Sequence, residues 1–329
     1  MYHHTVRKRE KTSKRAIMWL FPPLQKQVEY RTGDTVIAVP VKSGTTWMMN
    51  IFHQLRTGGD PDLKDIYAEV PWLEFKERPD QPNEELLERW KKIPDSVRRG
   101  FKSHSQPGEG PGDFAVYRED VKYVVLVRSP EEAIVSFKPF LEAHSKEIWK
   151  LWGMEEIRDQ FLRPTFKEFY YEMALKGFPT MPPHLVPPGG LLTMFFFSFI
   201  NGWWPLRNKP NVLFIHFSEM KKDHNGSVRK IADFLDFTPT DEQWTNVMEY
   251  TSFPWMKAHQ EKFEIATLLP FKIIDDGGMV RNGKTGAASE DGMTPEIAAD
   301  IASWAEKMVP DTAARKWLFE GGPLDEVTA

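Results

Sequence analysis

The chain contains no cysteine among its 329 residues. Disulfide bonds, zinc sites built from thiolates and cysteine nucleophiles are therefore all excluded. This absence permits an intracellular protein, and we predict a cytoplasmic one. Hydrophobic residues make up 41% of the chain and charged residues 27%, which is close to the composition of ordinary globular domains.

The chain also lacks a marked excess of charge of either sign. Lysine and arginine number 43 against 47 aspartates and glutamates, for a formal net charge of −4. Proteins that coat nucleic acid by bulk electrostatics are strongly basic, so no nucleic-acid partner is expected. A site for an anionic ligand must instead be built locally, from a few cationic side chains.

A hydrophobic run long enough to cross a bilayer is missing too. The longest apolar stretch, residues 189–200, falls well short of the ~20 residues that a spanning helix needs. No membrane span is predicted, and the aromatic segment 194–199 within this stretch is interpreted as a buried helix. Residues 1–16 are basic and lack the apolar core of a signal peptide. We predict that they form a flexible tail before one domain over 17–329.

The chain does contain alternating strand and helix patterns. Short apolar runs indicate buried strands over residues 35–39, 123–127 and 212–215, and a shorter one over 100–104. Alternating strands and helices are typical of an α/β domain whose central parallel sheet is covered on both faces. We therefore predict a single α/β domain of this kind. The predicted helices cover residues 45–55, the segment from Pro130, and residues 227–235, 241–250 and 295–308.

The strongest local signal is Lys42-Ser-Gly-Thr-Thr-Trp47, between the first strand and its helix. Gly44 lets the backbone approach an oxyanion, and the N–H groups at the start of the helix point toward it. The lysine and three hydroxyl groups add a charge and further donors. These features predict a P-loop-like phosphate cradle. It differs from the GxxxxGK[ST] loop of nucleotide hydrolases, because Lys42 precedes the glycine.

Two further segments could bind anions. Arg128 ends the strand over 123–127, and Ser136 lies about two turns into the next helix, so the pair could hold a second phosphate. Residues 280–286, VRNGKTG, form a third cationic and glycine-bearing segment that could fold over a ligand. A kinase or nucleotide hydrolase would want an acidic residue at the end of a neighbouring strand to hold magnesium. Arg128 at such a strand end disfavours that alternative.

Taken together, these segments resemble the cytosolic sulfotransferase family. Its members transfer the sulfuryl group of 3′-phosphoadenosine-5′-phosphosulfate to an acceptor hydroxyl or amine. The resemblance runs from about residue 36 to residue 286, and several motifs in register are more specific than any one of them. In the family's order they are KSGTTW at 42–47, VVLVRSPEEAIVSF at 124–137, GWW at 202–204, VLFIHFSEMKKD at 212–223, TSF at 251–253 and RNGKTG at 281–286.

The resemblance implies a role for each matching residue. His104 would be the general base that takes the acceptor's proton, Lys42 would stabilise the leaving phosphate, and Lys102 would lie beside the sulfuryl group. No metal ion is expected. The cofactor-binding residues implied are Lys42, Ser43, Gly44, Thr45, Thr46, Trp47, Arg128, Ser136, Phe217, Thr251, Phe253, Arg281, Asn282 and Gly283.

The acceptor side implied by the resemblance is aromatic. A small-molecule alcohol with aromatic or fused rings would suit such walls. The residues implied to line the acceptor pocket are Phe21, Trp72, Phe75, Phe137 and Phe140. The acidic residues of the same segments are interpreted as exposed surface, with recognition of a cationic acceptor as the alternative; they are Glu74, Glu77, Glu142 and Glu147.

The sequence departs from the family pattern in several places. Val41 replaces the proline usual before the lysine, Phe217 replaces a common tyrosine, and residues 287–289 lack the usual Asp-Trp pair. No clear copy of the family's short dimerisation element occurs within 263–274, so a monomer and a homodimer both stay open. Two functional alternatives also stay open: a P-loop-type kinase or nucleotide hydrolase, and a nucleotide-binding protein without transferase activity.

Overall fold

The computed structural model of the protein describes residues 24–78, 80–108, 117–264, 269–275, 278–281 and 288–324. The predicted tail over 1–16 and the boundary at residue 17 lie outside these residues. The division of the chain into tail and domain therefore stays a prediction. Across the described residues the buried side chains form one continuous hydrophobic cluster.

A sheet of four parallel strands forms the centre of the fold. The strands are β1, Thr35–Ala38; β2, Gly100–Ser103; β3, Lys122–Val127; and β4, Val212–His216. They lie in the order β2-β1-β3-β4, and Ala38 pairs with Ser103 on one side and Val125 on the other. Nearly every strand residue is buried, because both faces of the sheet are covered. The predicted α/β domain with a parallel sheet is confirmed.

Helices connect the strands and cover the sheet. The α-helices are α1, Thr45–Thr57; α2, Ile66–Glu69; α3, Asn83–Lys91; α4, Pro130–Glu142; α5, Lys146–Leu151; α6, Arg158–Phe161; α7, Phe166–Phe169; α8, Gly190–Leu192; α9, Ser198–Trp203; α10, Phe217–Lys222; α11, His224–Phe234; α12, Asp241–Tyr250; α13, Phe253–Ala258; α14, Pro295–Met308; and α15, Thr312–Glu320. Short 3-10 helices lie at Leu24–Lys26, Glu155–Ile157, Pro183–Leu185, Trp204–Leu206 and Gln260–Phe263, and π-helical segments at Tyr170–Ala174 and Thr193–Phe197. Helices α1 and α4 follow β1 and β3 closely, as predicted.

Capping side chains decide where several helices begin. Helices α12 and α14 have the predicted bounds, and Thr240 and Thr294 cap them by accepting a backbone N–H from the first turn. Helix α11 begins at His224, three residues before the predicted start. The cause is Asp223, whose carboxylate accepts a hydrogen bond from the N–H of Gly226 at 2.8 Å.

The aromatic segment 194–199 is buried and helical, which confirms that prediction. Phe196, Phe197 and Phe199 have no exposed surface. By length and composition alone the helical stretch Pro183–Leu206 would suffice to cross a membrane, but 56% of its most apolar window is buried inside the fold. Within this structure the stretch is a core helix.

A buried ion pair joins the starts of β1 and β2. Asp34 precedes β1 and Arg99 precedes β2, and Nε of Arg99 donates to Oδ1 of Asp34 at 3.0 Å. The two side chains are only 3% and 2% exposed. The Arg99 guanidinium also donates to the backbone carbonyls of Glu29 and Trp90. The pair therefore holds the two strand starts together with its charges compensated.

Replacing Asp34 by alanine should destabilise the protein strongly, because it leaves the Arg99 guanidinium buried without its counter-charge. Breaking a buried ion pair in this way costs about 3–5 kcal/mol. We expect the free energy of unfolding, measured by urea denaturation, to fall by an amount of this order. The matched control is Asp120→Ala, which removes the partner of Arg118 at the exposed surface and should change that free energy little. Equal effects of the two substitutions would contradict the role of the buried pair.

Candidate active site

A cavity of about 340 Å³ opens at the edge of the sheet where the strands end. Because β1 lies between β2 and β3, the chain leaves β1 toward one side of the sheet and β3 toward the other. Parallel α/β folds bind ligands at this kind of switch point. Each strand contributes a lining residue just beyond its end: Lys42 after β1, His104 after β2, Arg128 after β3 and Phe217 after β4.

Most of the predicted site residues line this one cavity. In particular Lys42, Arg128 and Arg281, which belong to three separate segments, all face it. The predicted residues on its wall are Lys42, Gly44, Thr45, Thr46, Trp47, Trp72, Phe75, Lys102, His104, Arg128, Ser136, Phe137, Phe140, Phe217, Phe253 and Arg281. The predicted residues outside the described part of the chain are Phe21, Asn282 and Gly283.

Ser43 and Thr251 are described but lie behind the lining, with no exposed surface. The N–H of Ser43 donates to the carbonyl of Pro40 at 3.2 Å. The hydroxyl of Thr251 donates to the carbonyl of Val247 at 2.7 Å, and its own carbonyl accepts from Nε1 of Trp47 at 2.8 Å. Neither residue is part of the cavity lining, and the backbone carbonyl of Thr251 fixes the indole of Trp47.

The turn after β1 has the shape of an oxyanion site. Lys42 and Gly44 have φ angles of 58° and 97°, in the left-handed region. A Cβ on Gly44 would lie 2.8 Å from the ring of Phe217, so only glycine fits. The N–H of Met48 donates to the carbonyl of Gly44 at 3.0 Å, which is the first bond of α1. The N–H groups of residues 45–47 precede that bond and lie at the positive end of the helix, where an anion binds.

The two arginines of the cavity are each paired with a carboxylate. Nε of Arg128 lies 2.9 Å from Oε2 of Glu132, and a guanidinium nitrogen of Arg281 lies 3.1 Å from Oδ1 of Asp291. Arg128 also donates to the carbonyl of Lys42 at 3.2 Å, which ties the second segment to the first. A phosphate makes the same kind of forked contact with arginine, so it would compete with both carboxylates. Among the described residues, no group of three or more His, Asp or Glu side chains is placed to hold a metal ion.

Aromatic rings form the wall beside the cradle. The Trp47 ring centroid lies 5.8 Å from that of Phe217 and 5.3 Å from that of His224. The guanidinium carbon of Arg128 lies 4.6 Å from the centre of the Phe217 ring. Phe253 also lines the cavity and is 37% exposed. Apolar ring faces next to a cation suit a flat aromatic base whose phosphate binds nearby.

The neutral form of His104 has a defined tautomer. Strand β2 ends at Ser103, one residue earlier than predicted, so His104 begins the following loop. Its Nδ1–H donates to the carbonyl of Val39 at 2.5 Å, which leaves Nε2 as the proton acceptor. Burial lowers the pKa of His104 well below its usual value, and the charges of Lys102 and Lys42 lower it further. The His104 ring is therefore neutral at physiological pH.

The surroundings of Lys42 disfavour the charged form of its side chain. Burial lowers the pKa of Lys42 to about 7, and the nearby charges of Arg128 and Arg281 add to the effect. Its ammonium nitrogen lies 4.2 Å from the centre of the Phe140 ring, a cation–π contact that favours the charged form. A bound anion would favour that form further.

Lys102 is in a similar state. Burial lowers its pKa to about 7, the carboxylate of Glu74 opposes this effect, and the charge of Lys42 adds to it. Its ammonium nitrogen lies 3.4 Å from the centre of the Trp72 ring. The cavity is thus lined by two lysines with pKa values lowered to about 7, and by the neutral ring of His104.

Glu74 is fully buried, so its interpretation as exposed surface is wrong. Its carboxylate accepts hydrogen bonds from the hydroxyls of Ser103 at 2.5 Å and Ser105 at 2.8 Å, and from the side chain of Gln25. It also accepts from the backbone N–H of His104 at 3.4 Å. Burial raises the pKa of Glu74. Its partners come from two distant segments, residue 25 and residues 103–105, so no local signal in the sequence could have shown them.

Aromatic residues form the remaining wall. Trp72 stacks on Phe75 with centroids 5.0 Å apart and meets His104 edge-on at 5.1 Å. Phe137 lies 6.0 Å from Phe140. Sequence reasoning missed several residues of this wall, because they lie outside the motifs that carry the family resemblance. These residues are His144, Phe161, Phe178 and Phe195.

The sequence matches the sulfotransferase domain family over residues 32–313. Rat sulfotransferase 2A6 is 27% identical over 257 residues, which are 77% of this chain and 76% of the relative. The fold is similar to that of mouse sulfotransferase SULT7A1 complexed with PAP, with a TM-score of 0.61 and 21% identity over 90% of each chain. It is also similar to retinol dehydratase in complex with androsterone and inactive cofactor PAP, with a TM-score of 0.59 and 20% identity over 88% of this chain and 84% of the other. Because the family match spans most of the sequence, this chain belongs to the sulfotransferase domain family and is a sulfotransferase enzyme, as its motifs in register predicted.

Proposed function

We propose that this enzyme transfers the sulfuryl group of 3′-phosphoadenosine-5′-phosphosulfate to a hydroxyl of a small, lipophilic acceptor. The observation that carries the proposal is the meeting of Lys42, Arg128 and Arg281 around the same cavity as a neutral His104. Cations from three segments suit a donor with phosphate groups at both ends, and a neutral imidazole suits an acceptor that must lose a proton. Two neighbours in fold are complexes with PAP, 3′,5′-bisphosphoadenosine.

The donor would be held by three parts of the cavity. The turn over 42–47 would bind the 5′ end through its backbone N–H groups. Arg128, Ser136 and Arg281 would bind the 3′-phosphate, once the arginines have left their carboxylate partners. The adenine would lie against Trp47, whose indole is already fixed by its hydrogen bond. Recognition of both phosphates then decides the position of the sulfur.

His104 would act as the general base. Its Nε2 would take the hydroxyl proton of the acceptor while the acceptor oxygen forms a bond to sulfur and the bond from sulfur to the 5′-phosphate oxygen breaks. The ammonium group of Lys42 would neutralise the charge that develops on the leaving phosphate, and that of Lys102 would stabilise the sulfuryl oxygens. As in phosphoryl transfer, positioning and electrostatic stabilisation would supply most of the rate enhancement.

The acceptor would be an uncharged, ring-containing molecule. The wall that includes Trp72, Phe75 and Phe137 is aromatic. Glu74 does not line the cavity and is occupied by its own partners, so it offers no site for a cationic acceptor. A neighbour in fold, retinol dehydratase, is a complex with androsterone, which supports a rigid and lipophilic acceptor.

We place the enzyme in the cytoplasm and propose no nucleic-acid partner. Its relatives in sequence are named sulfotransferases, and family membership removes the support for a kinase or nucleotide hydrolase. The remaining alternative is a protein that binds the nucleotide without transferring a group. The following experiments distinguish it from a sulfotransferase.

Three predictions test the proposed function, and the first concerns His104. Replacing it by alanine should lower the turnover number by about 10²- to 10⁴-fold, because the acceptor loses its general base. Transfer of labelled sulfate to a panel of phenols, sterols, alcohols and amines measures this effect, and calorimetry should find the affinity for 3′,5′-bisphosphoadenosine nearly unchanged. The control is the exposed His184, whose replacement by alanine should leave turnover as it is.

Unchanged turnover in His104→Ala would remove the base assignment. Tight binding of 3′,5′-bisphosphoadenosine by the unaltered protein, with no transfer to any acceptor of the panel, would instead favour a nucleotide-binding protein without transferase activity.

The second prediction concerns pH. Lys42 and Lys102 have pKa values lowered to about 7, so in the free protein both lose their protons as the pH rises through that value. A bound phosphate raises both pKa values, so binding takes up protons at higher pH. We expect the affinity for 3′,5′-bisphosphoadenosine to fall from about pH 7 to about pH 9, by up to about tenfold per pH unit for each lysine. Lys42→Met should flatten this dependence, and an equally steep dependence in that variant would count against Lys42.

The third prediction concerns Asp291. Asp291→Asn should tighten the binding of 3′,5′-bisphosphoadenosine by up to about fivefold, because the phosphate no longer displaces a carboxylate from Arg281. Calorimetric titration measures the change. Asp120→Asn is the matched control, since Asp120 pairs with Arg118 away from the cavity and should leave the affinity unchanged. Weaker nucleotide binding by Asp291→Asn would show that Asp291 helps the nucleotide rather than competing with it.

A further inference from the structure

A closed series of aromatic ring contacts forms part of the cavity wall. Neighbouring rings around it have centroids between 4.7 and 6.3 Å apart, and every member lines the cavity. We call this set the aromatic belt; in contact order it comprises Phe137, Phe140, His144, Trp149, Phe161 and Phe178. His144 is the member whose ring carries a nitrogen that can accept a hydrogen bond.

The hydrogen bonds of His144 determine which nitrogen that is. Its Nδ1–H donates to the carbonyl of Phe140, four residues earlier, at 2.8 Å. In the neutral ring Nε2 is then the acceptor, and it makes no hydrogen bond within the described part of the chain. Burial, with a contribution from the charge of Lys42, lowers the pKa of His144 to about 4, so the ring is neutral at physiological pH.

His144 therefore presents a basic nitrogen in mostly apolar surroundings. The residue is 5% exposed and packs against Phe140, Trp149 and Trp152, with ring centroids between 4.7 and 6.2 Å away. A ligand that keeps water from this nitrogen without donating to it leaves a polar atom unpaired at a cost in free energy, and a ligand that supplies a donor avoids that cost. The belt thus prefers a ligand with a hydrogen-bond donor at this point.

The position of His144 relates this preference to the proposed reaction. The Phe140 ring that His144 contacts also lies under the ammonium group of Lys42, at 4.2 Å from the nitrogen. His104 has the same arrangement in a different part of the wall, with Nδ1 on a backbone carbonyl and Nε2 as acceptor. One imidazole can take the proton of the reacting hydroxyl while the other accepts a hydrogen bond from a second group on the same molecule.

We infer that the acceptor carries a second hydroxyl group besides the one that is sulfated, and that Nε2 of His144 binds it. The inference rests on the proposed function, because it assumes that the acceptor occupies this cavity. The substrate class is then a rigid, lipophilic diol or dihydroxy aromatic compound. A monohydroxy analogue leaves Nε2 desolvated and unpaired, so the enzyme discriminates against it.

The test compares diols with their monohydroxy analogues. Suitable pairs are catechol with phenol, 1,5-dihydroxynaphthalene with 1-naphthol, 2,6-dihydroxynaphthalene with 2-naphthol, and a steroid diol with its analogue lacking the second hydroxyl. For each pair we measure kcat/KM for sulfuryl transfer, and the dissociation constants of both compounds in the presence of 3′,5′-bisphosphoadenosine. We expect at least one pair to favour the diol by roughly tenfold.

Two substitutions distinguish the roles of the two ring nitrogens of His144. His144→Asn keeps a donor near the carbonyl of Phe140 and removes the acceptor at the position of Nε2, so the preference for the diol should fall roughly tenfold. His144→Gln places an amide oxygen near that position and should restore much of the preference. The matched control is His259→Asn: His259 also donates from Nδ1 to a carbonyl four residues earlier and stacks on an aromatic ring, but lies outside the cavity.

The inference is wrong if no pair favours the diol, or if His144→Asn has the same preference as the unaltered enzyme and as His259→Asn. Thermal denaturation with bound 3′,5′-bisphosphoadenosine verifies that each variant is folded. If the diol binds preferentially, and does so through His144, while no compound is sulfated, the proposed function fails and the inference about His144 holds.

Discussion

The placing of four cations around one cavity is the constraint on which the rest of this structure depends. Lys42, Lys102, Arg128 and Arg281 line the same space. Burial lowers the pKa values of both lysines to about 7, and the charges of neighbouring cations add to the effect. The two arginines form ion pairs with carboxylates of the cavity wall. A ligand with several negative charges would compensate the four cations together, which is why the site suits a nucleotide with phosphates at both ends.

The parallel sheet makes this concentration of charge possible. All four strands end at one edge, and the residues just beyond those ends form the cavity wall. The opposite edge stabilises the sheet, because the buried ion pair of Asp34 and Arg99 joins the starts of β1 and β2 there. Binding and catalysis are thus supported at one edge by a framework whose charges are fully compensated at the other.

The two halves of the cavity differ in electrostatics. In the proposed function the donor would bind the cationic half, the donor half, and the acceptor would bind the aromatic half, the acceptor half, which contains neutral imidazoles. Phe140 lies where they meet, with the ammonium group of Lys42 over its face and His144 against it. The lysines of the donor half also help to keep His104 and His144 neutral. In the proposed reaction, the charge that would bind the donor therefore also helps to keep His104 neutral and able to accept a proton.

The sequence by itself determined the four strands, the cradle after β1 and the placing of Arg128 and His104 at strand ends. These features are local: a continuous apolar run, a glycine before a helix or a cation after a strand can be read within about ten residues. Only the tertiary structure decided that Glu74 is buried, that Thr251 supports Trp47 from behind the wall, and that His144 lines the cavity. The physical reason is that Glu74 is bonded to Gln25 and Ser103, Thr251 is bonded to Trp47, and the cavity that His144 lines is formed by segments far apart in the sequence. Packing of the whole chain brings these segments together.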